Sequence, residues 1–324
     1  MQLRGLVLVA SMGGWIAACG SPQPAKPTAA STPARAREPQ PEARSLMRPG
    51  RPLFPIELPE ADRAKLEANL KAAEADLAAH PGSADALIWV GRRQAYLWQY
   101  RNAIATFTKG IDTYPTDARF YRHRGHRYIT VRNFDAAIAD FEKAVGLVVA
   151  TPDAIEPDGA PNAAGKPRST QQFNIWYHLG LAYYLKGDYA NARRAYDACM
   201  KVSKNDDSVA ATADWQWMTY MRMGDKAAAA KVLERITPKM DILENGSYHK
   251  RLLMYKGLVT AESLLDTTNA DDLTIATQGY GVGNYYYVNG DRAKAKEIFD
   301  RVIAGKQWAA FGHIAAEVDR AKMP

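Results

Sequence analysis

The apolar pattern of this chain repeats. Between Ala84 and Thr151 a block of 34 residues is written twice: Gly91 and Gly125, Ala103 and Ala137, and Phe107 and Phe141 each lie 34 positions apart. In the first half of each block a glycine sits among large side chains, Leu87 and Val90 beside Gly91, Tyr121 and Tyr128 beside Gly125. Alanine and phenylalanine follow after a short turn. Apolar residues at three- and four-residue steps predict amphipathic helices, so each block predicts a helical hairpin. Two helices cross closely only where one of them offers little side chain. That requirement explains the glycines and alanines at fixed places, with rings filling the space around them. One hairpin cannot bury its own apolar face, so the repetition predicts a stack.

The pattern continues on both sides. Leu66, Leu70, Ala73 and Leu77 share one face of a lead-in helix that His80-Pro81-Gly82 stops. Such a helix suits the open end of a stack. After the second block the register breaks, and residues 151–172 hold four prolines and almost nothing apolar. They predict an inserted loop, and loops of that length are usually functional or disordered. The pattern resumes over 173–206 with Trp176, Leu179, Gly180, Tyr183, Ala192 and Tyr196. Beyond it, Gly187, Gly224, Gly257 and Gly290 mark turns, and Asp follows three of the four. They predict three weaker hairpins near 210–238, 243–272 and 276–308, the middle one with a short second helix. Asn205-Asp206-Asp207-Ser208 reads as a helix cap. A last helix over 309–322 is expected to close the far end.

This period, with glycine, alanine and aromatic residues so placed, resembles the tetratricopeptide repeat (TPR). The resemblance covers most of 84–308. It implies an all-α fold: a TPR-type α-solenoid of helical hairpins with capping helices, over 54–324. It also implies a binding face, because in TPR folds the first helix of each hairpin lines a concave groove. The second, fifth, ninth and twelfth repeat positions face that groove. Carried over, they give Arg92, Arg122, His126, Tyr177, Tyr184, Asp214, Met218, Tyr280, Asn284 and Tyr287. The groove is then basic at its N-terminal end and tyrosine-rich beyond, and Arg and Tyr are residues that anchor interfaces. The implied partner is a protein or peptide, and a segment carrying acidic and apolar residues suits this face. The carboxylate clamp of chaperone-binding TPR proteins needs Lys and Asn where this chain has Ile88 and Arg92, so that function is not carried over. A second reading has Tyr177, Tyr184 and Tyr287 packing between hairpins instead.

The N-terminal region reads differently. Residues 5–16 are apolar apart from Ser11 and end in Ile16-Ala17-Ala18-Cys19. This resembles a bacterial lipoprotein signal peptide, with Ile in place of the usual Leu. It implies removal of residues 1–18 and lipidation of Cys19, hence a lipid anchor in the cell envelope. An ordinary secretory signal with an incidental cysteine is the other reading. Gly20 follows the cysteine rather than Asp, which in Gram-negative sorting implies the periplasmic face of the outer membrane. Residues 19–53 are rich in Pro, Ala, Ser and Arg, and are expected to form a disordered tether.

Charge changes the picture only there. The chain carries +7. Six cations against two acids give residues 19–53 a charge of +4, and with Arg4 also set aside the body holds +2. A basic tether suits a membrane surface. It does not argue for nucleic acid, which needs the charge on a folded face. With Cys19 assigned to lipid, Cys199 has no disulfide partner.

No constellation points to catalysis. His123 and His126 are three apart on one helix, but no companion with metal-ligand spacing accompanies them, so no metal and no cofactor is expected. Gly279, Gly281 and Gly283 lie inside a predicted helix, not between strand and helix as a phosphate loop requires. They read as a close helix crossing. Cys199 sits at a small-residue repeat position and reads as a buried thiol. The function expected is a membrane-anchored, non-enzymatic scaffold lipoprotein for protein–protein interaction in the envelope. The alternative is a cell-wall-modifying enzyme, or a glycan- or small-molecule-binding module, using the tyrosine-rich C-terminal half.

Overall fold

The computed structural model describes residues 40–47, 51–157, 161–265 and 271–324. Cys19 and the rest of 1–39 lie outside the described residues. The body is an α-solenoid. After a lead-in helix α1 (Glu60–Ala79) come six hairpins. They are α2 (Ala84–Tyr96) with α3 (Tyr100–Thr113), α4 (Ala118–Thr130) with α5 (Phe134–Val148), and α6 (Gln171–Lys186) with α7 (Tyr189–Val202). Then follow α8 (Asp206–Met223) with α9 (Lys226–Leu233), α10 (Gly246–Tyr255) with the short α11 (Ala261–Leu265), and α12 (Asp272–Val288) with α13 (Arg292–Ala304). The last helix is α14 (Phe311–Arg320). Among the described residues no helix is long and apolar enough to cross a membrane.

The low spots predicted from sequence are where the helices meet. A Cβ on Gly91 would lie 2.5 Å from the Phe107 ring, and one on Gly180 would lie 2.7 Å from the Tyr196 ring. Ala103, Ala137, Ala192 and Ala295 are fully buried. Gly279, Gly281 and Gly283 lie on α12 and meet Val302, Arg251 and Phe299, as a close crossing demands. Asp188, Asp225 and Asp291, which follow the turn glycines, each accept a hydrogen bond from a backbone N–H of the next helix. Asn205 and Ser208 form a capping box.

The turns also hold a difference. Gly187, Gly224, Gly257 and Gly290 adopt left-handed φ, but the equivalent places in the first two hairpins are Trp98 (φ 61°) and Arg132 (φ 66°). A non-glycine residue there costs about 1–3 kcal/mol and persists only when its surroundings hold it. Both side chains reach the C-terminal end of the chain. The Trp98 ring lies 5.1 Å from that of Trp308. Arg132 Nη2 donates to Glu317 Oε2 at 3.0 Å and to the Trp308 carbonyl at 2.8 Å.

The expected tether requires correction over its last residues. Ala43–Arg44 (β1) pairs antiparallel with Pro52–Leu53 (β2). Ala43 and Leu53 are buried with Trp98, Tyr100 and Trp308. Ser45 donates to Glu317 Oε1 at 2.7 Å, and Trp308 Nε1 to the Phe54 carbonyl at 2.7 Å. A sequence poor in apolar residues is ordered here because distant parts of the chain supply its partners. The N-terminal ribbon, the first two turns and α14 therefore close the stack upon itself, where a linear solenoid has only neighbour contacts.

Candidate functional site

The inner face falls into an open part and a closed part. The open part lies between α2 and α4. Helix α4 places Arg122 and His126 four residues apart on one face, with His123 and Arg127 beside them, and α2 contributes Arg92. Together with Glu156 from the inserted loop, these residues line a pocket of about 120 Å³.

Its electrostatics follow from burial. Arg122 is buried, with its Nε 2.9 Å from Glu156 Oε2. Its Nη1 donates to His123 Nδ1 at 3.1 Å and to His126 Nδ1 at 3.4 Å. A guanidinium can only donate, so both imidazole nitrogens accept and are unprotonated. Burial first, and then the neighbouring guanidiniums, hold His123 and His126 well below the usual histidine range. They are neutral near pH 7. Burial also lowers Arg122, against the pull of Glu156. Arg127 is brought down to about 10, chiefly by burial.

A third imidazole joins them. The His178 ring lies 4.5 Å from that of His126. His178 stacks on Phe141 at 5.8 Å, as His123 stacks on Phe107 at 5.4 Å. Both histidines hold the sixth position of their repeats. The inserted loop hides this equivalence, because it sets them 55 residues apart instead of 34. Arg127, His123 and Glu156 were likewise missed by the groove positions of the repeat. Glu156 carries no local signal, since only the fold brings its loop to α4.

Next along the face, Tyr177 is buried and lines a second cavity of about 220 Å³ with Phe173, Asp207, Asn245 and Tyr248. Its hydroxyl donates to Tyr248 Oη at 3.1 Å. Asp207 accepts the backbone N–H groups of Leu243, Glu244 and Asn245, which pins the chain entering α10.

The closed part corrects the expected groove. Tyr184, Asp214, Met218, Tyr280 and Asn284 do converge on the inner side, but none is more than 2% exposed. The physical reason is α14, which packs on α12 and α13 and reaches back to α6. Tyr184 and Tyr280 share a hydroxyl contact of 2.9 Å, and Tyr280 donates to Asp319 Oδ2 at 3.0 Å. Arg222 bridges Asn284 at 2.8 Å and Asp319 at 2.5 Å. Arg251 and Asp214 pair at 2.6 Å, both fully buried. Burial pushes the Tyr184 and Tyr280 hydroxyls up, so both are neutral donors in an interior network. Tyr287 is half-buried, its ring 4.0 Å from the Arg222 guanidinium and 3.7 Å from that of Arg292. Packing between hairpins is thus what Tyr184 does.

Comparison with known proteins supports the repeat. Residues 173–206 match the tetratricopeptide repeat. A search of curated proteins finds no sequence that matches the chain. Among solved structures, similar ones include a tetratricopeptide repeat protein from Parabacteroides merdae, at 13% identity and a TM-score of 0.49, covering 82% of this chain and 94% of that one. YrrB, described as a TPR protein with an unusual peptide-binding site, is 16% identical with a TM-score of 0.41, covering 74% of this chain and 93% of its own. TTC0263, a thermophilic TPR protein of Thermus thermophilus, is 18% identical with a TM-score of 0.42, covering 59% and 92%.

Proposed function

We propose that this tetratricopeptide-repeat protein is a non-enzymatic scaffold lipoprotein, which offers the N-terminal part of its inner face to a protein partner in the cell envelope. The observation that carries this reading is the contrast along one face. Around Tyr184, Asp214, Met218, Tyr280 and Asn284 the inner side is filled by its own side chains and by α14, whereas between α2 and α4 it holds a pocket lined by Arg92, Arg122 and Arg127, the most cationic place along that face. A partner segment with acidic residues suits that place, with apolar residues beside them. Charge there steers encounter and selects the partner. Lipid on Cys19 anchors the chain.

The test uses the full-length protein in its membrane. Crosslinking and capture from envelope extract are compared for the natural chain, Arg92→Glu and Arg127→Glu. Reversing either charge should weaken capture of the partner, while melting of Arg92→Glu stays near that of the natural chain because Arg92 is only partly buried. Unchanged capture by both folded variants moves the binding surface elsewhere. For the anchor, Cys19→Ser should abolish labelling by an alkyne fatty acid, and a variant that still takes up label refutes lipidation at Cys19.

A further inference from the structure

The pocket between α2 and α4 is unbalanced in charge. Three guanidiniums line it, and Glu156 is the one carboxylate among its lining residues. Glu156 serves Arg122. Among the described residues no ion pair is formed by Arg92 or Arg127. Arg92 lies over the Trp89 ring at 4.4 Å, and Arg127 over the Tyr100 ring at 5.4 Å. Both are partly buried, so water screens them less than it would at the open surface, and the empty volume beside them favours an anion.

Glu156 does not arrive there by a loose contact. Its backbone N–H donates to the Ser169 carbonyl at 3.0 Å, and that of Gln171 to the Ala154 carbonyl at 2.8 Å. An antiparallel bridge joins Ile155 and Thr170 between them. The base of the inserted loop is therefore built to hold one acidic side chain against α4. The Arg122 and Glu156 side chains are 9% and 12% exposed, so water screens this carboxylate poorly.

We propose that Glu156 is an internal competitor: it holds the seat that an acidic side chain of the partner would take, and so sets the pocket's affinity. This rests on the reading of α2 and α4 as the partner-binding face. A carboxylate that reaches Arg92 and Arg127 comes within the same small pocket as Glu156. Two carboxylates at such range repel. The loop's own acid therefore opposes the incoming one.

The experiment measures binding of a fluorescein-labelled hexaglutamate peptide by anisotropy, at low and at physiological salt. Glu156→Gln should bind about tenfold or more tightly than the natural chain, because a poorly screened like charge is removed. Arg127→Gln should lose binding. Glu156→Gln leaves Arg122 buried without its anion, so its melt is recorded as a check on folding. A second pair guards against misfolding: Arg122→Gln and the double variant Arg122→Gln/Glu156→Gln, of which the double should bind the peptide more tightly. Equal binding by the natural chain and Glu156→Gln, still lost in Arg127→Gln, overturns the competitor and leaves the binding face standing. Weaker binding by a folded Glu156→Gln also overturns it, since the loop then assists the ligand. Peptide bound by none of the variants overturns the binding face itself.

Discussion

Closure of the stack depends on one buried carboxylate, and Glu317→Gln tests it. Glu317 meets Arg132 Nη2 at 3.0 Å and Ser45 Oγ at 2.7 Å, and His313 Nε2 lies 3.5 Å away. Its side chain and that of Arg132 are 1% and 3% exposed. Burial alone raises the carboxyl. The adjacent His313 ring, the charge of Arg132 and the hydrogen bond from Ser45 overcome it and leave Glu317 at about 2, against an ordinary 4.5. That difference corresponds to about 3 kcal/mol of stability. The folded value is depressed, so the stability is fully present above pH 4.5 and is lost as pH falls toward 2. A second route gives the same scale, because removing one partner of a buried pair costs about 3–5 kcal/mol. Glutamine keeps the shape and one acceptor oxygen but leaves Arg132 uncompensated. Denaturant unfolding at neutral pH should therefore show Glu317→Gln destabilised by about 3 kcal/mol. The gap should shrink as the pH is lowered from 4.5 to 2. The double variant Arg132→Met/Glu317→Leu should recover most of the loss, as buried pairs replaced by apolar side chains often do. A loss below about 1 kcal/mol at neutral pH, the scale of a surface ion pair, refutes the argument. So does an acid slope in Glu317→Gln as steep as in the natural chain.

Other outcomes follow from the packing. Gly91→Ala puts a methyl 2.5 Å from the Phe107 ring, and Ala137→Leu overfills a fully buried site; each should lower stability by about 1–3 kcal/mol in thermal melts, and an unchanged melt in both would show the crossings are loose. Ser45→Ala removes the donor to Glu317 and should cost about 1.5–3 kcal/mol, with faster proteolysis of 40–54; a ribbon cut no faster than before speaks against its docking. The Cys199 thiol is fully buried and pushed up to about 12, so peptide mapping after iodoacetamide at pH 8 should find it unmodified in the native protein and modified on unfolding. Rapid native labelling would contradict that burial.

The sequence by itself determined the repeat. A 34-residue period in small and aromatic residues is local information, because each helix must offer a low spot to its immediate neighbour. The turn glycines and the aspartates after them are local too: one allows left-handed φ, the other caps the next helix. The repeat spacing also singled out Arg92, Arg122, His126 and Tyr177; in the fold the first three line the pocket between α2 and α4 and Tyr177 lines the second cavity. What the sequence did not decide is whether that face is open. Tyr184, Tyr280 and Asn284 read like a groove, yet Arg222, Asp319 and α14 complete them as an interior. The contact of Glu156 with Arg122 spans 34 positions across an irregular loop, that of Arg132 with Glu317 spans 185, and that of Ser45 with Glu317 spans 272. No periodicity carries such pairings. The first arises where the base of the inserted loop lies against α4; the other two arise only when the stack curves far enough for its two ends to meet, and there Trp98 and Arg132 accept a backbone conformation usually left to glycine, in exchange for contacts with Trp308 and Glu317.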